Sequence, residues 1–87
     1  MAIQKFHLKD TRVFQIQGKG TYRIEILKNE DDASDYIVIP FKREEAQRPD
    51  RYVYEELRFL TERTFDVEAA ISNIMGKIHN PVLGRGK

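Results

Sequence analysis

The sequence predicts an α+β domain in which an N-terminal antiparallel β-meander of three to four strands packs on two C-terminal α-helices. In the first half of the chain, apolar and polar residues alternate, as in half-buried strands. In the second half, apolar residues recur every three to four positions, as in amphipathic helices. Because the strand patterns precede the helix patterns, α+β is favoured over an alternating α/β fold.

Length and composition limit the chain to one domain with a modest core. It has 87 residues, of which 15 are basic and 14 acidic, and it lacks cysteine. A domain of this size buries roughly 60 to 65% of its unfolded surface. We expect a single domain over residues 1–81 and a flexible basic tail over residues 82–87, where two glycines lie beside Arg85 and Lys87.

Composition also bears on the compartment and on partners. The lack of cysteine excludes disulfides and thiolate metal sites and is compatible with a reducing compartment. No apolar run approaches the roughly 18 residues of a membrane span, and residues 1–5 lack the apolar segment of a secretion signal. We therefore expect a cytoplasmic protein with no membrane contact, and the nearly balanced charge does not point to a polyanionic partner.

The first predicted strand is short. Residues Ile3 to Leu8 alternate loosely, with Phe6 and Leu8 on one side, as in a half-buried strand at the edge of a sheet. The polar segment Lys9-Asp10-Thr11 follows and is predicted to be a turn. This turn separates the first strand from the next one.

A hairpin is predicted next. Arg12 to Gln17 and Thr21 to Lys28 each alternate, and Gly18 and Gly20 between them supply the positive φ that a tight turn needs. Paired glycines also occur in phosphate-binding loops, but such a loop needs further glycines, a Lys-Ser/Thr pair and a helix directly after it. A strand pattern follows here, so a hairpin turn is predicted.

Three segments of contrasting polarity follow the hairpin. Asn29 to Asp35 carries four acids but lacks the central glycine and final glutamate of an EF-hand loop, which predicts a solvated loop. Tyr36 to Phe41 is the most apolar run and predicts a buried strand that ends at Pro40, because proline has no amide to donate. Lys42 to Asp50 is highly charged and is either an exposed linker or a short helical turn.

The first of the two predicted helices begins at Pro49. Val53, Leu57 and Leu60 are spaced i, i+4 and i+7, which places them on one face of a helix. The pattern breaks at Thr64-Phe65, which leaves a very short turn before the second helix.

The second predicted helix, within residues 64–81, has the clearest pattern in the chain. Its apolar stripe consists of Val67, Ile71, Ile74 and Ile78, flanked by Ala70 and Met75. Asp66 is placed to cap the first free amides, and Asn80-Pro81 ends the helix. Phe65 is expected to pack on Ala70 as a hydrophobic staple. A single helix of this length needs a surface to cover, which the strands supply.

No arrangement of residues in the sequence predicts catalysis or metal binding. His7 and His79 belong to no metal-ligand motif, and Ser34 and Ser72 do not lie on a glycine-flanked nucleophile elbow. The helix carboxylates lie beside bases or in N-terminal turns, as on solvated helix faces, so they single out no general acid or base. We expect a protein that is not an enzyme and that uses no cofactor.

Protein–protein interaction is the favoured function. Val13 and Leu27 are expected to point to the opposite side of their strands from the main apolar residues, and Tyr54 lies off the predicted helix stripe. One small core cannot cover all of these residues, and leftover apolar and tyrosine surface is typical of interfaces. Val13, Leu27 and Tyr54 therefore predict the contact surface of an adaptor, inhibitor or regulator. Its partner is another protein or a second copy, since symmetric pairs are the commonest oligomers.

Nucleic-acid binding is the alternative function. Basic residues near the hairpin and in the tail could hold phosphates while aromatic rings stack on bases. The candidate residues are Arg12, Lys19, Arg23, Arg85 and Lys87. Two observations speak against this alternative. Phe14 and Tyr22 are expected on the same side of their strands as the isoleucines, and therefore buried. The balanced charge of the chain weakens binding to phosphates.

Overall fold

The computed structural model of the chain describes residues 3–44 and 53–79. Its elements in chain order are β1 (Phe6–Ile16), β2 (Gly20–Asn29), β3 (Tyr36–Glu44), β4 (Val53–Glu56), a 3-10 helix (Arg58–Leu60), β5 (Glu62–Thr64) and α1 (Val67–His79). The predicted α+β class with an N-terminal antiparallel meander is confirmed. The predicted tail and residues 45–50 of the predicted linker or helical turn lie outside the described residues.

The strands form one antiparallel sheet in the order β1-β2-β3-β4, and β5 also pairs with β3. Both β4 and β5 lie along the edge of β3 that faces away from β2. One end of β3, Phe41 to Glu44, pairs with β4, and the other end, Tyr36 to Val38, pairs with β5. Together β4 and β5 therefore act as one edge strand that is interrupted in the middle.

Pro40 explains this interruption. The prediction that the strand ends at Pro40 is wrong, because β3 continues to Glu44 and Pro40 lies fully buried beside Ile24 of β2. The nitrogen and oxygen of one residue in an antiparallel strand point to the same neighbour. The Pro40 carbonyl accepts a hydrogen bond from the Leu57 amide at 2.8 Å, so the missing Pro40 donor faces the β4–β5 edge, where the 3-10 helix replaces strand pairing.

The first predicted helix is replaced, in its described part, by β4, the 3-10 helix and β5. Leu60 points into the core at 8% exposure as its spacing predicted, but Val53 on the same predicted stripe is 60% exposed. β4 opens with Val53 and Tyr54 and β5 ends with Thr64, residue types that fit a pleated surface well. The backbone groups of this segment form hydrogen bonds with the free edge of β3. This pairing outweighs a helical spacing that only three residues support.

β1 is one continuous strand where the sequence predicted a strand, a turn and a second strand. Leu8 pairs with Leu27 and Asp10 with Ile26, so Lys9 is an extra residue on β1, which forms a β-bulge. The polar segment that predicted a turn is this bulge. The extra residue shifts the alternation of side chains between the two faces by one position. Leu8, before the bulge, therefore lies on the same face as Val13, after it.

The hairpin and the C-terminal helix are confirmed. Gly18 and Gly20 have φ values of 80° and 118° in the turn between β1 and β2. The Asp66 carboxylate accepts a hydrogen bond from the Ala69 amide at 3.2 Å, which caps α1. The hydrophobic staple is wrong, because Phe65 is 80% exposed.

The core lies between α1 and one face of the sheet. Its buried apolar residues are Tyr22, Ile24, Ile26, Val38, Leu60, Ala70, Ile71, Ile74 and Ile78. The core residues on β2 and β3 are every second residue of those strands, apart from Leu60 on the 3-10 helix. The core residues on α1 belong to the predicted apolar stripe. Within the described residues, no helix is long and apolar enough to cross a membrane.

Candidate protein-interaction surface

The face of the sheet opposite α1 is the candidate site, and we call it the open face. Directly paired residues of an antiparallel sheet point to the same side, so the register assigns each side chain to a face. The open face carries Phe6, Leu8, Thr11, Val13, Arg23, Glu25, Leu27, Ile37, Ile39, Phe41, Arg43, Tyr54, Glu56 and Arg63. No described helix or strand packs over these residues.

One half of the open face is apolar. Leu27 lies on β2 between Leu8 on β1 and Ile37 on β3, and Ile39 follows on β3. Leu8 is 55% exposed and Val13, further along β1, is 61% exposed, whereas Ile24 and Val38 on the helix side are fully buried. Accessible side chains of this kind, close together on a rigid sheet, can be buried by a partner.

The other half of the open face is built around Arg23. The Arg23 guanidinium carbon lies 4.6 Å from the centre of the Phe41 ring and 4.3 Å from the centre of the Tyr54 ring. The Arg23 Nε is buried and has no hydrogen-bond acceptor among the described residues. The rings hold the guanidinium flat by cation–π contact and restrict the freedom that a long side chain loses on binding.

Glu25 follows Arg23 on the same face of the central strand β2. The Arg23 Nη2 and the Glu25 Oε2 are 3.5 Å apart, and both side chains are about one-third exposed or less. The middle of the open face therefore carries one positive and one negative charge side by side.

An ion pair lies at the end of the open face beside β5. The Arg63 Nε and Nη2 donate hydrogen bonds to the two carboxylate oxygens of Asp35 at 2.9 and 2.6 Å, and Arg63 also reaches Gln4. The hydrogen bonds from Arg63, and then from Asn29, lower the pKa of Asp35 to about 2. These contacts tie the N-terminal segment to β5 and end the open face there.

The three residues predicted as the protein interface, Val13, Leu27 and Tyr54, all lie on the open face. They are not in one cluster, because Val13 pairs with Arg23 and Leu27 pairs with Leu8. Sequence reasoning missed Ile37, Ile39 and Phe41, because a continuous apolar run does not reveal which of its side chains face the helix. Leu8 was missed because the bulge at Lys9 reverses its side.

The structure separates the residues predicted to bind nucleic acid. Arg12 lies on the helix side of the sheet, Arg23 on the open face, and Lys19 in the exposed turn between β1 and β2. Arg85 and Lys87 lie outside the described residues. The described part of the chain therefore does not bring these basic side chains onto one surface.

Arg12 lies in a groove of about 410 Å³ beside the start of α1. The Arg12 Nε is 3.1 Å from Asp10 Oδ2, and the Arg12 Nη2 is 2.8 Å from Glu68 Oε2. Hydrogen bonds to Glu68 and then to Asp10 raise the pKa of Arg12, and Arg12 in turn lowers the pKa of Glu68. A guanidinium held by two carboxylates is poorly placed to bind a phosphate.

Within residues 3–44 and 53–79, no group of three or more histidines, cysteines or acids is placed to hold a metal ion. The His7 Nδ1 lies 3.8 Å from Glu30 Oε2, at the far end of β1. The open face itself offers apolar side chains, aromatic rings and the Arg23–Glu25 charge pair, with the Arg63–Asp35 ion pair at its end.

Comparison with known proteins adds no relative, because no family model, no curated protein and no solved structure matches the chain.

Proposed function

We propose that this chain is a small non-enzymatic binding protein that acts through its open face. One observation carries the proposal: α1 covers one face of the sheet, and the opposite face holds eight apolar or aromatic side chains that no described helix covers. Fully burying a valine or leucine side chain is worth about 1.5 to 3 kcal/mol. A protein partner would gain part of this free energy from each such residue, most from Leu8 and Val13, which are 55% and 61% exposed.

The mixed character of the open face supports a protein partner over nucleic acid. Aromatic residues and arginine are enriched in protein interfaces, and the pair of Phe41 and Tyr54 around Arg23 is of this kind. A nucleic-acid surface needs several positive charges and free ring faces. Here Arg23 already occupies one side of each ring, and Glu25 lies beside it.

The test compares two variants of the open face with a matched control outside it. Full-length unmodified protein, Val13→Asp and Leu27→Asp are immobilised, and the proteins that each one retains from a cell lysate are quantified by mass spectrometry. Phe65→Asp is the control, because Phe65 is 80% exposed and lies just before α1. Circular dichroism checks that every variant is folded.

We expect a protein, or added soluble copies of this chain, to be retained by the unmodified protein and by Phe65→Asp, and lost at least tenfold with Val13→Asp and Leu27→Asp. Equal retention by all four folded proteins would show that the open face is not a contact surface.

A further inference from the structure

We infer that residues 3–8, which we call the N-terminal arm, form a strap that opens and closes as a unit at the β-bulge of Lys9, with Arg63 as its latch. The inference does not depend on what binds the open face. Three features of the arm carry it: its distance from the core, its position at the edge of the sheet and the small set of contacts that hold it.

The two halves of β1 differ in what they pack on. After the bulge, Phe14 and Ile16 are half-buried and pack against the core. Before the bulge, His7 and Leu8 are exposed, and none of residues 3–8 belongs to the core or packs against it. A segment with little buried apolar surface and accessible backbone hydrogen bonds opens at a lower free energy than the rest of a domain. The arm is therefore the part of β1 that can leave the sheet first.

The sheet can lose the arm without coming apart. Residues 6–8 pair with residues 27–29 of β2, and no described strand lies on their other side. The pairing of β2 with β3 extends as far as Lys28 with Tyr36, so β2 keeps a partner when the arm leaves. The bulge interrupts the register directly after Leu8, and the pairs beyond it form independently of the arm.

Arg63 of β5 is placed to latch the arm. The two carboxylate oxygens of Asp35 accept hydrogen bonds from Arg63 at 2.9 and 2.6 Å and fix the direction of its guanidinium. The Arg63 Nη2 also donates to the Gln4 Oε1 at 3.1 Å, and the guanidinium carbon lies 5.5 Å from the centre of the Phe6 ring. Because Asp35 already orders the guanidinium, Arg63 loses little further freedom when it contacts the arm.

A second attachment joins the arm to the loop after β2. The Glu30 amide donates a hydrogen bond to the Lys5 carbonyl at 2.8 Å, and the Glu30 Oε2 lies 3.8 Å from the His7 Nδ1. Opening frees the Glu30 amide, which makes this amide a direct reporter of the arm. It also removes Phe6 and Leu8 from the open face and leaves the end of β2 unpaired on one side. The strap thus sets how far the open face extends.

The first test is amide hydrogen exchange of the full chain, followed residue by residue by NMR. After correction for intrinsic rates, we expect the Glu30 amide and the protected amides of residues 6–8 to share one rate, about tenfold or more above that of residues 12–16. Equal protection on both sides of the bulge would mean that β1 opens as one unit and would overturn the inference.

The second test removes the latch. Arg63→Gln is expected to speed exchange of the Glu30 and arm amides about tenfold and to leave residues 12–16 unchanged, because it removes the cation–π contact and the charged hydrogen bond. Arg58→Gln is the matched control, since it removes the same charge from an 87% exposed side chain that pairs with Glu56 and not with the arm. No change with Arg63→Gln, or an equal rise in residues 12–16, would show that Arg63 does not latch the arm.

The third test removes the bulge. Deletion of Lys9 joins Leu8 directly to Asp10, and their partners Leu27 and Ile26 are already consecutive, so every pair between β1 and β2 is kept. The arm should then open only together with residues 12–16, and its exchange should slow about tenfold to their rate. Lys9→Ala is the control, because it keeps the bulge and removes only the side chain that lies over the Tyr36 ring. Arm exchange that stays fast after the deletion would show that the bulge is not the hinge.

Discussion

The two faces of the sheet are made from the same strands but have different compositions. On β2, Tyr22, Ile24 and Ile26 point toward α1 and are at most 5% exposed, whereas Arg23, Glu25 and Leu27 point away from it. The strand residues buried under α1 are apolar, because an unpaired buried charge costs free energy. Arg12 lies on the same side of the sheet and is paired with Asp10 and Glu68. The open face interleaves charges with apolar side chains, as expected for a surface that is wet alone and dry in a complex.

The comparison shows that one strand can place buried residues on one face and accessible residues on the other. Alternation assigns neighbouring residues of β2 to different surfaces, so a substitution on one face leaves the other largely intact. We therefore expect the two faces to respond differently to truncation, and the predictions below test this difference.

The largest effect is expected on the closed face. Ile74 is completely buried on α1, and Ile74→Ala should lower the free energy of unfolding by about 2 to 4 kcal/mol, because it removes buried surface and leaves a cavity. Ile71→Ala, at a site with 6% exposure, should fall in the same range. Urea unfolding followed by circular dichroism measures both.

Ser72→Ala is the control for these variants, since Ser72 lies on the exposed side of the same helix. A cost near zero for both isoleucine variants would mean that α1 does not hold the core together.

A smaller effect is expected on the open face. Leu27 is only half-buried, and Leu27→Ala should cost about 1 kcal/mol or less in a dilute sample, because little covered surface is lost. If two copies associate through this face, the cost should grow with protein concentration, since association adds to apparent stability by mass action. Urea unfolding at two concentrations checks both statements, and a cost equal to that of Ile74→Ala would remove the contrast between the faces.

The smallest effect is confined to acid and concerns the ion pair at the end of the open face. The pKa of Asp35 is lowered from 3.8 to about 2 by Arg63, so its stabilising contribution is complete above about pH 4 and is lost as the pH falls toward 2. Asp35→Asn should therefore be less stable than the unmodified protein near neutral pH, and the two should converge at the acid end. Thermal unfolding across this range measures it.

Asp31→Asn, in the same loop, is the matched control for this titration. A constant difference between Asp35→Asn and the unmodified protein from neutral pH to pH 2 would contradict the link to the Asp35 carboxylate.

Features with local causes were predicted well from the sequence. The stripe from Val67 to Ile78 and the Asp66 cap are set within a few residues, and α1 forms as they indicate. The glycines of the hairpin are a similar case, because the positive φ that they adopt is a property of single residues. The fold class followed from the order of such patterns along the chain.

The first predicted helix shows where local reasoning fails. Helical spacing of Val53, Leu57 and Leu60 was outweighed by the edge of β3. Its pairs with this segment run from Glu44 with Val53, nine residues apart in the chain, to Tyr36 with Thr64, 28 residues apart. The split of that edge depends on Pro40, whose missing donor matters only once the neighbouring strand is known.

By itself, the sequence determined the alternation of β2, the turn at the two glycines and the capped helix, and hence which side chains of β2 share a face. Tertiary structure alone decided which face the helix covers, how β1 bulges, and that Leu8, Ile37, Ile39 and Phe41 join Val13, Leu27 and Tyr54 on the open face. The reason is physical: capping, turns and alternation depend on neighbouring residues, whereas strand partners and the covered face depend on contacts between distant segments.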